Sequence, residues 1–338
     1  MSNLGKKAAV AILSLFFAIS SISAALAHNF TLVPDKFGVS VGESTGIAAT
    51  FTHEIGKGQY PVFGLTKEHT DPFEAKYVGV YDGPFVISAD ISSASFKVHY
   101  NDGQETQIPE SSFSPYDLDK GEITDARISD SDHASFLVTQ AGTAAVAGDI
   151  KMTLYVGVMT MGVSFPGENV AYSKTFLNLT NDGMATKRFG GDDVLEVVFA
   201  EEVPQGGIKA GDTVKFKVLF KGSPLAGESV HATYIGAEAT YGGPGEGWVN
   251  DSEGGEATTD GDGFVSFTFD HASGWLVGVE YEDKSDDDKG YVGVAMFNVA
   301  SKGSGGSGSS GGCDAGLGAV LSLSCLTVIS AALRKKRG

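Results

Sequence analysis

Cysteine is almost missing from this chain. The 338 residues contain two, Cys313 and Cys325, both close to the C-terminal end. Everything before Cys313 can therefore hold no disulfide, no thiolate metal site and no cysteine nucleophile. Long stretches of helical apolar period are missing too between His28 and Ala300, which argues against a βαβ enzyme core. Positive charge is scarce: 24 Lys and Arg stand against 42 Asp and Glu, a formal net of -18. Lys6, Lys7, Arg334, Lys335, Lys336 and Arg337 lie at the two ends, so the body between them is more acidic still. Such a field repels phosphate backbones and attracts cations, so no nucleic-acid partner is expected. No Ser/His/Asp order and no close carboxylate pair stands out, and the expectation is a protein that is not an enzyme.

The ends carry an address. Lys6-Lys7, an apolar run and Ala25-Leu26-Ala27 together have the three parts of a secretory signal peptide over residues 1–27. Small residues at Ala25 and Ala27 place cleavage by signal peptidase before His28; the alternative is an uncleaved anchor. At the other end, residues 301–314 form a Gly/Ser linker that runs into Gly312-Cys313. Residues 315–333 form an uncharged apolar stretch long enough for a transmembrane helix, and 334–338 a basic cytoplasmic tail. This order resembles a Synergist-CTERM-type C-terminal sorting signal. The resemblance implies a sorting protease that acts near Cys313; a plain tail anchor is the alternative. Both put the body outside the cytoplasm, in the periplasm or at the cell surface, tied to the membrane by the C-terminal helix unless processed.

Between the ends, short alternations bounded by Gly, Asp, Asn and Pro recur. In Thr213–Phe220, Val214, Phe216, Val218 and Phe220 share one face and Lys215 and Lys217 the other. Gly222-Ser-Pro-Leu225 turns the chain and Glu228–Ile235 returns it. Asp260-Gly-Asp-Gly263 reads as a hairpin turn before a strand with Val265, Phe267 and Phe269 on one face. Similar strands are expected at Thr45–Thr52, Ala75–Tyr81, Phe85–Ala89, Ser95–Tyr100, Ala134–Thr139, Lys151–Val163 and Tyr172–Leu179. The fold class is all-β: two tandem antiparallel β-sandwiches, over 28–188 and 189–300, with the boundary at the polar Asn181–Asp193 stretch.

Several segments recur in a familiar order: Tyr172-Ser-Lys-Thr-Phe-Leu177, Leu195-Glu-Val-Val198, Ile208-Lys-Ala-Gly-Asp-Thr-Val214, Val218-Leu-Phe-Lys-Gly-Ser-Pro-Leu-Ala-Gly227, Thr259-Asp-Gly-Asp-Gly-Phe264 and Gly274-Trp-Leu-Val277. With His28-Asn-Phe-Thr-Leu-Val-Pro34 after the signal peptide, the set resembles the exported NikM-like family. That resemblance spans His28 to Tyr281. It implies a periplasmic component of nickel or cobalt uptake built from an immunoglobulin-like and then a transthyretin-like sandwich. Its implied partners are membrane metal-transporter subunits.

Seven histidines can be weighed beside it. After cleavage, His28 would offer a free amine and an imidazole nitrogen on one residue, a chelate that exists only once the protein is exported. His53 ends an apolar strand before a Gly-Lys-Gly loop, and His69 lies in the same loop region, so His28, His53 and His69 form the expected metal set. Amine and imidazole donors suit nickel(II), with cobalt(II) as the other candidate cargo, and copper(II) should compete in vitro by the Irving–Williams order. His99 shares a face with Lys97 and reads as solvated. His231 reads as surface, His133 as part of a turn and His271 as structural. Asp260–Gly263 and Asp283–Lys289 lack calcium-loop spacing and read as a turn and a solvated acidic loop. The expected function is an envelope-anchored metal-binding protein assisting nickel or cobalt uptake. The alternative is a structural or adhesive surface protein with no metal role.

Overall fold

The computed structural model describes residues 29–52, 60–61, 80–82, 85–113, 132–158, 163–235, 239–243, 247–250, 255–286 and 289–302. The first half holds β1 (Asn29–Pro34), β2 (Ser44–Thr52), β3 (Tyr60–Pro61), β4 (Val80–Asp82), β5 (Phe85–Tyr100), β6 (Glu105–Ile108), β7 (Asp132–Leu137), β8 (Ala144–Val158) and β9 (Val163–Leu177). Next come β10 (Leu195–Phe199), β11 (Ile208–Lys209), β12 (Thr213–Phe220), β13 (Ser223–Pro224) and β14 (Ser229–Tyr234). The last are β15 (Ala239–Gly243), β16 (Gly247–Asn250), β17 (Glu256–Thr258), β18 (Phe264–Thr268), β19 (Ser273–Asp283) and β20 (Lys289–Ala300). Among the described residues the only helical element is a short 3-10 turn at Glu110–Ser112. The all-β class and the sandwich architecture are those read from the sequence.

The arrangement of the sandwiches is more specific. A ten-stranded sheet runs β17-β14-β19-β20-β9-β8-β5-β4, with β11 and β6 on its flanks. One face of it packs on the sheet of β1, β2, β3 and β7, the other on the sheet of β10, β12, β13 and β18. The strict alternation of a strand makes this possible. On β20, Val292, Val294 and Met296 point into the first core, while Tyr291, Ala295, Phe297 and Val299 point into the second. On β9, Ala171 and Leu177 go one way and Val170, Tyr172 and Phe176 the other. The two cores lie back to back on a shared sheet.

That sharing depends on a parallel pairing. β9, from the first half, runs parallel to β20 from Gly290↔Asn169 to Met296↔Thr175. Strands covered on both faces read as continuous apolar runs, as Tyr291–Phe297 does, and parallel pairing favours such sites. Alternation alone does not reveal it.

Four local expectations change. The predicted Lys151–Val163 strand belongs to two: β8 ends at Val158 and β9 begins at Val163, and these two residues pair in an antiparallel ladder. The predicted Phe85–Ala89 and Ser95–Tyr100 strands are one long strand, β5, with a register shift between Ile91 and Ser93 in its pairing to β8. Asp260–Gly263 is not a hairpin turn: β17 pairs with β14 in the shared sheet, whereas β18 pairs with β12 across the second core. The Asp260 carboxylate accepts the backbone N–H groups of Asp262 at 3.0 Å and Phe264 at 2.9 Å, an Asx turn that carries the chain from one layer to the other. Likewise Gly222–Leu225 is not the turn as a whole: Lys221 and Gly222, both with positive φ, join β12 to the two-residue β13 at Ser223–Pro224, after which β14 crosses to the shared sheet.

Close approach between layers has sequence causes. A Cβ at Gly293 would lie 2.5 Å from the Leu195 carbonyl oxygen, so only glycine lets β20 meet β10 there. On the opposite face, β1 has its outer edge satisfied by side chains. Ser173 Oγ accepts the Leu32 N–H at 3.2 Å, and the Thr175 hydroxyl donates to the Leu32 carbonyl. Two hydroxyls of β9 thus stand in for a missing neighbouring strand. The second core is aromatic: Phe199 lies 4.9 Å from Phe216 and 5.1 Å from Phe297, and Phe269 lies 4.9 Å from Trp275. Such offset and edge-on pairs add to the area they bury.

Candidate functional site

The residues singled out for chemistry fall mostly elsewhere. His28, His53 and His69 lie outside the described residues, as do Ala25, Ala27 and Cys313 and the apolar stretch 315–333. The first described rung of the β1–β2 ladder pairs Asn29 with Thr52, whose sequence neighbours are His28 and His53. Among the described residues no group of three or more His, Cys, Asp and Glu is placed to hold a metal, and no helix is long and apolar enough to cross a membrane. His133 is the second residue of strand β7, opposite Ala48, instead of part of a turn.

The acidic loops spend their oxygens locally. Asp283 accepts the Ser285 N–H at 3.0 Å and its hydroxyl at 2.6 Å, and takes Lys221 Nζ at 3.0 Å. Ser285 and Lys221 hold its carboxyl down at about 2. His271 is structural, as expected: its ring sits 4.0 Å from Tyr234, and its carbonyl accepts Trp275 Nε1 at 3.1 Å.

The most unusual chemistry lies between the shared sheet and the second core. Lys174 on β9 is 0% exposed and its Nζ donates to Glu196 Oε1 on β10 at 2.9 Å; Glu196 is 1% exposed. A buried pair of this kind is costly to dehydrate and needs further hydrogen bonds. One comes from residues 181–193, the polar stretch that links β9 to β10: the Phe189 N–H donates to Glu196 Oε1 at 2.9 Å. Arg188 Nε stands 3.5 Å from Oε2, an ion-pair contact and not a hydrogen bond. Burial pushes the Glu196 carboxyl up, but the Lys174 charge and the Phe189 and Gly190 amides outweigh it, leaving it below its ordinary value and ionised. Burial lowers the Lys174 ammonium against the pull of Glu196. Tyr172, two residues before Lys174 on the same face, is raised by burial and by the charges of Glu196 and Asp149.

This linking stretch is packed, not loose. Met184 and Ala185 are fully buried in the second core. Lys187 Nζ donates to the Asn101 carbonyl at 3.2 Å, Thr186 Oγ1 meets Glu202 at 3.1 Å, and Asp193 pairs with Lys151. Phe189 closes it down: its ring lies 4.7 Å from His99 and 6.5 Å from Phe176, with Lys174 Nζ 5.7 Å from its centroid. His99, read as solvated, is therefore buried under Phe189, and its Nδ1 faces Glu105 at 3.1 Å. Its shared face with Lys97 is real, but the linking stretch covers the position that alternation marks as open.

The cluster had a sequence signal. In Tyr172-Ser-Lys-Thr-Phe-Leu177, Lys174 stands between two aromatics on one strand face, and Glu196 interrupts an apolar run. A charge at an apolar position on each of two strands is the mark of a buried pair. As it stands the cluster can position and hold; nothing in it is arranged as nucleophile, base and oxyanion donor.

Comparison with known proteins gives a family and little more. No curated protein matches the chain. Among solved structures, the D0-D1 domain of Intimin is similar at 13% identity, covering 80% of this chain and 97% of that one, with a TM-score of 0.19. The type II cohesin dyad from the adaptor ScaA scaffoldin of Acetivibrio cellulolyticus gives 12% identity, coverage of 82% and 98%, and a TM-score of 0.21. A group B streptococcus pilus 2b backbone protein gives 10%, coverage of 79% and 98%, and 0.14. Likenesses this loose assign neither topology nor ligand. The family model described as a domain of unknown function (DUF4198) matches residues 25–283, most of the chain, and the chain belongs to that family.

Proposed function

We propose that the protein is a non-enzymatic structural component of the cell envelope, a rigid double sandwich held on a Gly/Ser stalk. The observation that carries this reading is the place of β20. This strand runs at Ala300 into the stalk sequence, and it is held along both of its edges. It pairs with β19 from Ser273↔Val299 to Asp283↔Lys289 on one side, and with β9 on the other. Its last residues also take β11, through Ile208↔Val299 and Lys209↔Ala300. A pull on the stalk would enter a strand bonded along both edges and buried on both faces. Signal peptidase at Ala25-Leu26-Ala27, a sorting protease at Cys313 and the apolar stretch 315–333 supply export and anchoring in this reading. Protease treatment of intact cells tests it. The body should be released and the C-terminal stretch retained by the membrane; a body protected until cells are lysed would refute surface exposure.

A second reading, nickel or cobalt binding by the mature N-terminus, is favoured by one observation. Asn29 is paired with Thr52, and paired Cα atoms lie about 5 Å apart. Asn29 and Thr52 are the residues next to His28 and His53 in the sequence. The resemblance to the NikM-like family points the same way, with membrane transporter subunits as partners and His69 as a further ligand. Isothermal titration with nickel, comparing the native terminus with His53→Ala, tests it: unchanged affinity removes His53 from any site.

A further inference from the structure

The link between β9 and β10 and the histidine beneath it form a unit that neither reading of the function uses. Phe189 does two things at once. Its backbone N–H donates to the buried Glu196 carboxylate at 2.9 Å, and its ring covers His99 at 4.7 Å between centroids, with an interplanar angle of 33°. The His99 side chain keeps only 10% of its exposure. If Phe189 lifts, it uncovers an imidazole and removes a hydrogen bond from one of two buried charges. We propose that residues 181–193 form a pH-sensitive latch, shut by Phe189 packed on a neutral His99 and released when that imidazole takes up a proton.

The charges around His99 favour release. Glu105, from β6, is the nearest compensating group, but its side chain is 48% exposed and its other oxygen already holds Lys97 Nζ at 2.9 Å. Lys97, on the same strand β5, opposes a second positive charge. From β9, the Lys174 ammonium already stands 5.7 Å from the centroid of the Phe189 ring, so an imidazolium would share that ring with another cation. Lys187 and Arg188 flank Phe189 within the link itself. Glu196, from β10, attracts the proton but is committed to Lys174. β8 offers only Ala145 opposite His99. Burial is the largest influence on the imidazole and holds its pKa below the ordinary value, with Lys97 adding to it and Glu105 opposing it.

The sign follows. A base whose pKa is lower in the closed form than in the open form binds its proton more readily when open. The closed form is fully favoured above the ordinary imidazole range near 6.5, and loses ground as pH falls from there through the lowered value. Each unit of that lowering makes the open form about tenfold more populated once pH is below both values. An exported protein meets such pH changes directly.

Hydrogen exchange of the full-length protein, followed by mass spectrometry on peptides covering 184–192, reads the latch. Rates are corrected for the intrinsic pH dependence of amide exchange and taken from about pH 7.5 to 5, the span over which histidine titrates. The wild type should lose protection in these peptides as pH falls, while peptides from β19 and β20 keep theirs. His99→Gln should flatten the dependence. Flat protection in the wild type, or an unchanged slope in His99→Gln, overturns the latch. Should His99→Gln fail to fold, Glu105→Gln, a change at a half-exposed side chain, removes the carboxylate that compensates an imidazolium in the closed form and should deepen the loss of protection as pH falls. A pH dependence that does not steepen overturns it equally.

Discussion

Removing Lys174 alone should be among the most damaging single changes in the molecule. Lys174→Met preserves the length and apolar stem of the side chain but leaves the Glu196 carboxylate at 1% exposure without its ammonium. Breaking a buried pair in this way costs about 3–5 kcal/mol. Glu196 would keep the Phe189 amide at 2.9 Å, and the positive charge of Arg188, its Nε 3.5 Å from Oε2, would still offset part of the stranded carboxylate. The expected loss is therefore near the lower end, about 3 kcal/mol. Glu196→Leu alone should cost a similar amount, because it strands the Lys174 ammonium and the Phe189 amide. In the double variant the charges are gone together, leaving chiefly an orphaned amide, worth about 1–3 kcal/mol. The two losses should thus fall well short of additive, with a coupling of about 2 kcal/mol or more. Urea unfolding gives all four corners of this cycle from midpoints at constant slope. Additive losses, or a Lys174→Met midpoint within error of the wild type, would refute the claim that this pair is a coupled, buried unit.

Other consequences are as direct. Gly293→Ala puts a Cβ 2.5 Å from the Leu195 carbonyl oxygen, a clash with backbone, so thermal unfolding should drop by the equivalent of about 1–3 kcal/mol. Ser173→Ala with Thr175→Val strips the Leu32 N–H and carbonyl of their partners and should cost about 1–3 kcal/mol for each group left bare; faster exchange at the Leu32 amide would show the cause. The Asp283 carboxyl, held down at about 2, contributes stability that is complete above the ordinary carboxylate value near 3.8 and is lost as pH falls through about 2. Carboxyl NMR should show it titrating well below the ordinary carboxylate range, and Lys221→Ala should bring its pKa back up.

The sequence showed the strands more readily than their neighbours. Val214, Phe216 and Val218 alternate with lysines, and the apolar three are those that face the second core. Pairing partners are not encoded in that period. Gly222–Leu225 and Asp260–Gly263 each carry turn residues, but the same residues serve a hairpin and a passage between layers, and only the register of β14 and β18 distinguishes them. The parallel β9–β20 contact joins residues far apart in the chain, and no local pattern announces it. His99 shows the same limit at the level of one side chain. Alternation put it correctly beside Lys97, yet its burial depends on Phe189, about ninety residues later. Lys174 and Glu196 were legible in principle, as charges at apolar positions, and become a pair only when β9 and β10 face each other.

The functional account turns on whether the exported terminus matters for metal. The direct measurement is a nickel and copper titration of the protein with His28 as its first residue, against the same protein carrying one extra alanine before His28. The extension removes the primary amine from the chelate without touching the β-sandwich body. A structural envelope protein should bind both metals equally weakly in the two forms. Tight binding that disappears on extension would contradict it and make the processed N-terminus the working part of the molecule.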